Sequence, residues 1–197
     1  MGFSRAELEA VRGRAVPDLL PDDPAADLRL LFVGINPGLW TAAVQAHFAH
    51  PGNRFYKALA TAGITPRALD VRDGFDVASR RALVGRGIGI TNLVNRATAR
   101  ADELAIDELR RGAGELAAKV EAWRPAVVAV VGIGAYRTGF GQPRATVGRQ
   151  QTDLAGAELW ALPNPSGLNA HYGVDALARL YRDAAEAAGI EVSLRGR

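Results

Sequence analysis

The sequence predicts an α/β protein, a three-layer α/β/α sandwich around a central, mostly parallel sheet. Two patterns lead to this prediction. Short runs of consecutive apolar residues are typical of parallel strands that are covered on both faces. Segments with apolar residues at helical spacing follow these runs, and such alternation places helices on both sides of a parallel sheet. The 197 residues suit one domain with a core of its own.

The N-terminal part is predicted as a short helix followed by an arm. Ser4 is a suitable N-cap and Glu7, three positions later, completes a capping box, so a helix is predicted over 4–13. The stretch 14–26 is rich in Pro and Asp, which predicts an extended, exposed arm.

The remaining elements alternate along a single domain, predicted over 28–197, with 1–27 as the N-terminal helix and arm. The predicted strands are 28–35, 87–94, 125–132 and 157–167. The predicted helices are 53–63, 102–123, a turn from Gly134, and 173–189. Gly112 and Gly114 weaken the helix over 102–123. A short edge strand or tail is predicted over 191–197.

The composition argues against several classes of protein. No run of about 18 apolar residues is present, so we expect no transmembrane helix. The N-terminus lacks the apolar core of a signal peptide. The chain has no cysteine, which excludes disulfides and a thiolate nucleophile and fits a reducing cytoplasm. Lys and Arg number 24 and the net charge is +3, which raises the expectation of nucleic-acid binding only modestly.

Polar turns follow the first and the fourth predicted strand. They read GINPG (34–38) and NPSGLN (164–169), and each alone is typical of a β-turn. GINPG lacks the Walker spacing of a phosphate loop, and Ser166 lacks the G-x-S-x-G context of a nucleophile. Because sites in open α/β sheets form at the carboxyl ends of the strands, we expect both turns on one functional rim.

A third polar segment, HFAHPGNRFYK (47–57), lies between the first strand and the next helix. Phe48 in this loop predicts either a core plug or a plate on which a flat ligand stacks, and the residue types leave both open. His47 and His50 are three apart, but no third ligand has matching spacing, so we expect no metal.

Four motifs in order resemble the mismatch-specific uracil-DNA glycosylase family, the bacterial relatives of thymine-DNA glycosylase in the uracil-DNA glycosylase superfamily. The resemblance runs from about Leu28 to Arg197 and includes a closing LRGR. It implies a uracil-DNA glycosylase-like fold and a monofunctional enzyme that flips uracil, notably opposite guanine, and hydrolyses its N-glycosidic bond. The motifs are GINPGL (34–39), AHPGNRF (49–55), GITNLVNRAT (89–98) and ALPNPSGLN (161–169).

The resemblance implies a role for each motif. Asn36 would position the attacking water, Phe48 would stack on the base, and Leu168 would wedge into the gap left by the flipped base. The base pocket would be formed by Ile35, Gly38, Phe48 and Asn53. Contacts with the widowed guanine would come from Asn164, Ser166, Gly167, Leu168 and Asn169. The expected phosphate contacts are Arg54, Lys57 and Arg96, with Arg144 and Arg149 as further candidates.

The implied partner is double-stranded DNA that contains G·U or a related lesion, with no cofactor, no metal and no membrane. We expect a monomer in the bacterial cytoplasm. The chain departs from the family at four places, one of which is Trp40 with 42–45, where relatives carry a Ser/Gly-rich pocket loop. Asn169-Ala170 stands where relatives often carry Ser-Arg, Ala97 where they commonly carry Pro, and Asn95 where some carry an acid.

Two other functions fit the residues. A non-catalytic module that binds mismatches or abasic sites would keep the fold. The amide of Asn36 favours that function, because an amide cannot take up a proton as a carboxylate does. A generic nucleotide-binding α/β domain fits the strand–helix alternation alone.

Overall fold

The computed structural model describes residues 2–193 and contains one five-stranded sheet. The strands are β1 (Leu30–Gly34), β2 (Ile88–Asn92), β3 (Val127–Val131), β4 (Gly148–Arg149) and β5 (Glu158–Leu162). The helices are α1 (Arg5–Glu9), α2 (Leu39–Val44), α3 (Phe55–Thr61), α4 (Val77–Val84), α5 (Ile106–Trp123), α6 (Ile133–Gly139) and α7 (Val174–Ala187). A 3-10 turn at Ala101–Glu103 precedes α5.

The sheet order is β2-β1-β3-β5-β4, and every pairing is parallel except that of β4 with β5. Successive side chains of a strand point to opposite faces, and this alternation divides the core in two. Leu30 and Phe32 pack in one cluster with α3 and α7, whereas Leu31 and Val33 pack in the other with α5 and α6. The sheet is therefore covered on both faces, and the predicted mostly parallel α/β/α fold is confirmed.

The N-terminal arm is extended over 14–21 and forms bends and a turn over 22–26, and most of its positions are exposed as predicted. The prediction of exposure is wrong at Val16, Leu19 and Pro21. Val16 and Leu19 are buried, and Leu19 exchanges two backbone hydrogen bonds with Ile90, at 2.9 and 2.8 Å. The physical reason is the position of β2 at the edge of the sheet, where unpaired backbone groups favour a further pairing segment. Asp18 adds a second attachment, because it accepts hydrogen bonds from Thr91 and Lys119.

The boundaries differ from the prediction where backbone chemistry limits an element. β5 ends at Leu162 rather than at 167, because Pro163 and Pro165 have no N–H to donate to a ladder. The capped N-terminal helix ends early, at Glu9. Three short elements, α2, α4 and β4, were not predicted.

The edge strand or tail predicted over 191–197 is described only in part. Residues 191–193 have no regular secondary structure, and the rest of the predicted tail, 194–197, lies outside the described residues. No helix within residues 2–193 combines the length and the apolar character needed to cross a membrane.

Candidate active site

The two polar turns and the loop of Phe48 meet in one cleft of about 1020 Å³ at the carboxyl ends of the parallel strands. GINPG enters it from β1 and NPSGLN from β5. The predicted catalytic, base-pocket and wedge residues all line this cleft: Ile35, Asn36, Gly38, Phe48, Asn53, Asn164, Ser166, Gly167, Leu168 and Asn169. The structure thus brings the three motifs together, while the chemical role of each residue stays a prediction.

Asn36 is half-buried and its amide is held in one orientation. Its Nδ2 lies 2.9 Å from Arg96 O, 2.7 Å from Thr98 Oγ1 and 3.2 Å from Pro37 O. Backbone carbonyls only accept hydrogen bonds, so the amide nitrogen must face them. Within residues 2–193 no N–H or O–H donates to Asn36 Oδ1. This oxygen is therefore a free acceptor on a residue that lines the cleft.

The loop 96–100, which orients the Asn36 amide, is held by a hydrogen bond and an ion pair of its own. Thr98 is buried, donates its hydroxyl proton to Arg100 O at 2.7 Å, and so is left as an acceptor for the Asn36 amide. Arg96 forms a bidentate ion pair with Glu108 on α5, at 2.8 and 3.0 Å. The hydrogen bond from Arg96 lowers the pKa of Glu108 to about 2. The loop is thereby tied to the longest helix.

Phe48 packs in the core and also lines the cleft, while stacking of a ligand on it stays a prediction. Its ring stacks on Phe55, with centroids 4.1 Å apart and planes at 22°, so it plugs the core. It is nevertheless only partly buried and lines the cleft. Within residues 2–193 no group accepts a hydrogen bond from the backbone N–H of Ile35 or Phe48. The site therefore offers an aromatic ring and two free donors.

Asn92, which the sequence analysis did not single out, also lines the cleft. It ends β2 directly opposite Gly34 of β1. Its Nδ2 lies 3.3 Å from His47 Nδ1, and His47 Nε2 lies 3.0 Å from Pro17 O. Since Pro17 O only accepts, Nε2 carries the proton of the neutral ring and Nδ1 accepts from Asn92. The carboxyl-end rule that identified Asn36 would also have identified this residue.

The buried His47 makes the stability of the fold pH-dependent. Burial lowers its pKa, Asp18 opposes the shift and Lys119 adds to it. The unfolded chain, with a His pKa near about 6.5, then binds more protons on acidification, so stability is lost as the pH falls from there toward the folded-state pKa. We expect a slope of at most about 1.4 kcal/mol per pH unit from this group.

Urea unfolding of the wild type and of His47→Gln, above and below this range, measures the effect. Gln can keep both hydrogen bonds without titrating, so the variant should lose less stability on acidification than the wild type. Equal losses in the two proteins would show that His47 does not contribute.

The wedge turn, defined as residues 164–169, presents an exposed leucine on a hydrogen-bonded frame. Leu168 is 94% exposed, which rejects a core role. Asn164 Oδ1 accepts from Ser166 N at 2.9 Å, and Asn169 Nδ2 donates to Asn164 O at 2.9 Å. A single exposed apolar side chain is common on protein surfaces, but Leu168 also lines the cleft, beside the other predicted site residues.

The expected phosphate contacts differ in how free they are. Lys57 and Arg144 are exposed and have no hydrogen bond or ion pair within residues 2–193. Arg96 is paired with Glu108, and Arg149 lies 3.1 Å from Glu158. Arg54 donates to three backbone carbonyls of the segment 167–172. Contacts of these side chains with DNA stay predictions.

Asn95 contacts the N-terminal arm and not the cleft. Asn95, where some relatives carry an acid, exchanges two 2.9 Å hydrogen bonds with the backbone of Val16, and it does not line the cleft. It therefore holds the N-terminal arm.

No cluster of three or more His, Asp or Glu side chains suited to a metal ion occurs in the described part of the chain.

The fold and the cleft together define an α/β/α protein with an asparagine-lined site at the carboxyl ends of its strands. The chain belongs to the Uracil DNA glycosylase superfamily, whose sequence model matches residues 21–185. The solution NMR structure of a candidate uracil DNA glycosylase from Methanosarcina acetivorans is similar, with a TM-score of 0.59 and 16% identity over 87% of this chain and 98% of that chain. Such low identity shows the fold alone. Superfamily membership suggests a uracil DNA glycosylase-like hydrolase of base excision repair, with DNA as its partner.

Proposed function

We propose that the protein is a mismatch-specific uracil-DNA glycosylase, which hydrolyses the N-glycosidic bond of uracil opposite guanine and leaves an abasic site. The observation that supports this most is the fixed amide of Asn36, whose free Oδ1 belongs to the same cleft as Phe48 and the exposed Leu168. An attacking water, a stacking surface and a wedge are the three parts that this reaction needs.

In the proposed reaction, a water held by Asn36 Oδ1 attacks the anomeric carbon of the flipped nucleotide. The new C–O bond forms as the bond to the uracil nitrogen breaks, and that nitrogen takes the electron pair. The water proton passes to solvent or to the departing base, because the amide cannot keep it. The rate then comes from positioning the water and from stabilising the uracil anion.

The cleft also offers groups that match a uracil edge. Uracil presents two carbonyl acceptors and one N–H donor. The free N–H groups of Ile35 and Phe48 can donate to a carbonyl, and the Asn92 amide has both a donor and an acceptor. Phe48 would stack on the face of the base, as aromatic rings do in nucleobase pockets.

Base release from the duplex requires that uracil leave the stack. Flipping costs a few kcal/mol and costs least at a mismatch, which favours G·U over a matched pair. An apolar wedge stabilises the opened duplex. Leu168 is the exposed apolar side chain at the rim of the cleft and supplies that wedge.

The test is a panel of labelled oligonucleotides, incubated with stoichiometric protein and then treated with alkali to cleave abasic sites. It contains G·U, A·U, G·T and single-stranded uracil. We expect cleavage at uracil in G·U, and less in A·U. Absence of cleavage in every substrate would refute a glycosylase, and equal rates for G·U and A·U would refute mismatch specificity alone.

A non-catalytic mismatch- or abasic-site-binding module remains the second candidate. Among the cleft-lining residues of the described chain Asp102 is the only carboxylate, and Arg100 pairs with it, so no unpaired carboxylate lines the cleft with Asn36. Tight binding of an abasic duplex without any uracil release under single-turnover conditions would favour this function.

Gly34→Ala is expected to reduce activity with a small effect on stability. A Cβ at Gly34 would lie 2.4 Å from Asn92 Oδ1 and 3.3 Å from Phe48 Cζ. The end of the Asn92 side chain must move, and misplacement by about 1 Å can cost about 100-fold in rate. Single-turnover uracil release and urea unfolding measure the two effects. Gly134→Ala, where a Cβ also meets nothing within 4 Å and which does not line the cleft, is the matched control. Full activity of Gly34→Ala would mean that the placement of Asn92 does not matter.

A further inference from the structure

Arg54 makes an unusual set of contacts with the segment that carries the wedge. Its backbone N–H donates to Pro165 O at 3.0 Å. Its Nη1 donates to Asn169 O and to Tyr172 O, both at 2.8 Å, and its Nη2 donates to Gly167 O at 3.0 Å. All four acceptors are backbone carbonyls, so Arg54 acts on the path of the chain rather than on a side chain.

These contacts bracket Leu168. The carbonyl of Gly167 precedes the leucine and that of Asn169 follows it, and both accept from the same guanidinium. The Leu168 side chain is 94% exposed, so packing does not hold it in place. The rigid fork of a guanidinium can engage several carbonyls at once, whereas an ammonium is a point donor. The direction of the leucine therefore depends on Arg54.

The same residue connects the wedge turn to the floor of the cleft. Arg54 lies between Asn53, which lines the cleft, and Phe55, on which Phe48 stacks. The two segments touch directly, because a Cβ at Gly167 would lie 2.6 Å from Gly52 O. Within residues 2–193 no carboxylate pairs with Arg54, so its hydrogen-bonding capacity is directed to the turn.

We propose that Arg54 is a positioning residue, which holds the wedge turn in the geometry that Leu168 needs to enter the duplex. Its role in duplex substrates rests on the proposed function. The guanidinium acts through the carbonyls of Gly167, Asn169 and Tyr172, and not as a phosphate contact. Without the Arg54 guanidinium, the wedge turn is free to move, whereas Asn36 and Phe48 keep their positions in the base pocket.

The experiment compares the wild type with Arg54→Lys, Leu168→Ala, the double variant of these two, and Arg54→Met, which removes the charge. Arg182→Lys is the matched control, because Arg182 also donates to backbone carbonyls, those of Ala62 at 3.0 Å and Thr61 at 3.4 Å, but does not line the cleft. Single-turnover uracil release is measured on the G·U duplex and on the single strand, and duplex binding is measured at several salt concentrations. Hydrogen exchange of the backbone amides in 164–172 is followed without DNA.

We expect Arg54→Lys to slow release from the duplex by about tenfold or more while the single-strand rate stays within about threefold. The double variant should be no slower than Leu168→Ala, since both changes disable the same wedge. The salt dependence of binding should stay unchanged, and amides of 164–172 should exchange faster. Arg182→Lys should resemble the wild type in every readout.

Four results would overturn the proposal. Unchanged exchange in 164–172 would show that Arg54 does not hold the turn. Equal losses on duplex and single strand would place its effect in the base pocket. A normal duplex rate in Arg54→Lys would show that the guanidinium fork is not needed. A salt slope in Arg54→Met that is lower by about one would identify a phosphate contact instead. Failure of the proposed function is distinguishable, because the wild type would then release no uracil, while hydrogen exchange still decides the role of Arg54.

Discussion

Asn36→Ala should lower single-turnover release of uracil from a G·U duplex by about 100-fold or more, with little change in binding of an abasic duplex. We expect a rate reduction of this size because removal of one fixed polar group from an active site typically lowers the rate by a similar factor. The change removes the free Oδ1 and the contacts of Nδ2 with Arg96 O and Thr98 Oγ1, and it adds no atom to the cleft.

Asn36→Asp tests whether the orientation of the amide matters. A carboxylate in the same place would face the carbonyls of Arg96 and Pro37, and acceptors that face each other repel. We therefore expect this variant to lose activity as well, although a carboxylate is the stronger base. An aspartate variant more active than the wild type would contradict the fixed orientation.

A matched control removes a similarly hydrogen-bonded side-chain amide that lies outside the cleft. Gln150 also donates its side-chain amide to two backbone carbonyls, Thr146 O at 2.8 Å and Gly148 O at 2.7 Å, and does not line the cleft. Gln150→Ala should retain wild-type release. Near-normal release by Asn36→Ala would exclude Asn36 as the group that positions the water.

Gly112→Ala is expected to destabilise the fold by about 1–3 kcal/mol, although alanine is the better helix former. Gly112 is buried on α5, and a Cβ there would lie 2.1 Å from Leu93 O. That oxygen belongs to the backbone and cannot move alone. Leu93 follows Asn92, and its N–H donates to Gly34 O at 2.9 Å, so the displacement should also reach the cleft.

Gly114, two positions along the same helix, gives the opposite expectation. It is exposed, and a Cβ there meets nothing within 4 Å. Gly114→Ala should stabilise the protein by about 0.4–1 kcal/mol, because alanine lowers the entropy of the unfolded chain. Urea unfolding measures both variants. A stabilising effect of Gly112→Ala would contradict the close approach of α5 to Leu93.

The parallel strands could be predicted because burial on both faces leaves a local trace. β1 and β3 are buried at every position, and such strands read as continuous apolar runs. The joint position of the two polar turns could be predicted for a related reason. Parallel strands place their carboxyl ends at one edge, so two turns far apart in sequence meet there.

The elements that were not predicted have a weaker signal in the sequence. β4 has two residues, and α2 has six, which is too short for a helical period to stand out. Burial of the arm depends on the open edge of β2, and nothing in the composition of 14–26 reveals that edge.

The position of Asn92 at the carboxyl end of β2 could have been predicted, but the orientation of its amide could not, because its environment is assembled from distant segments. Its orientation depends on His47, which depends in turn on the carbonyl of Pro17. The charge of Arg54 is visible in the sequence and predicts a phosphate contact, which stays a prediction, whereas its contacts with the wedge turn could not be predicted. Its carbonyl acceptors, which belong to 167–172, become neighbours only in the folded chain.

The structure of Asn36→Ala bound to a G·U duplex tests the central claim most directly, because this variant should bind uracil without releasing it. We predict that the uracil lies in the cleft on Phe48, with its edge near Asn92, and that Leu168 occupies the vacated place in the duplex. A uracil that stays stacked in the duplex, with Leu168 outside the DNA, would contradict it.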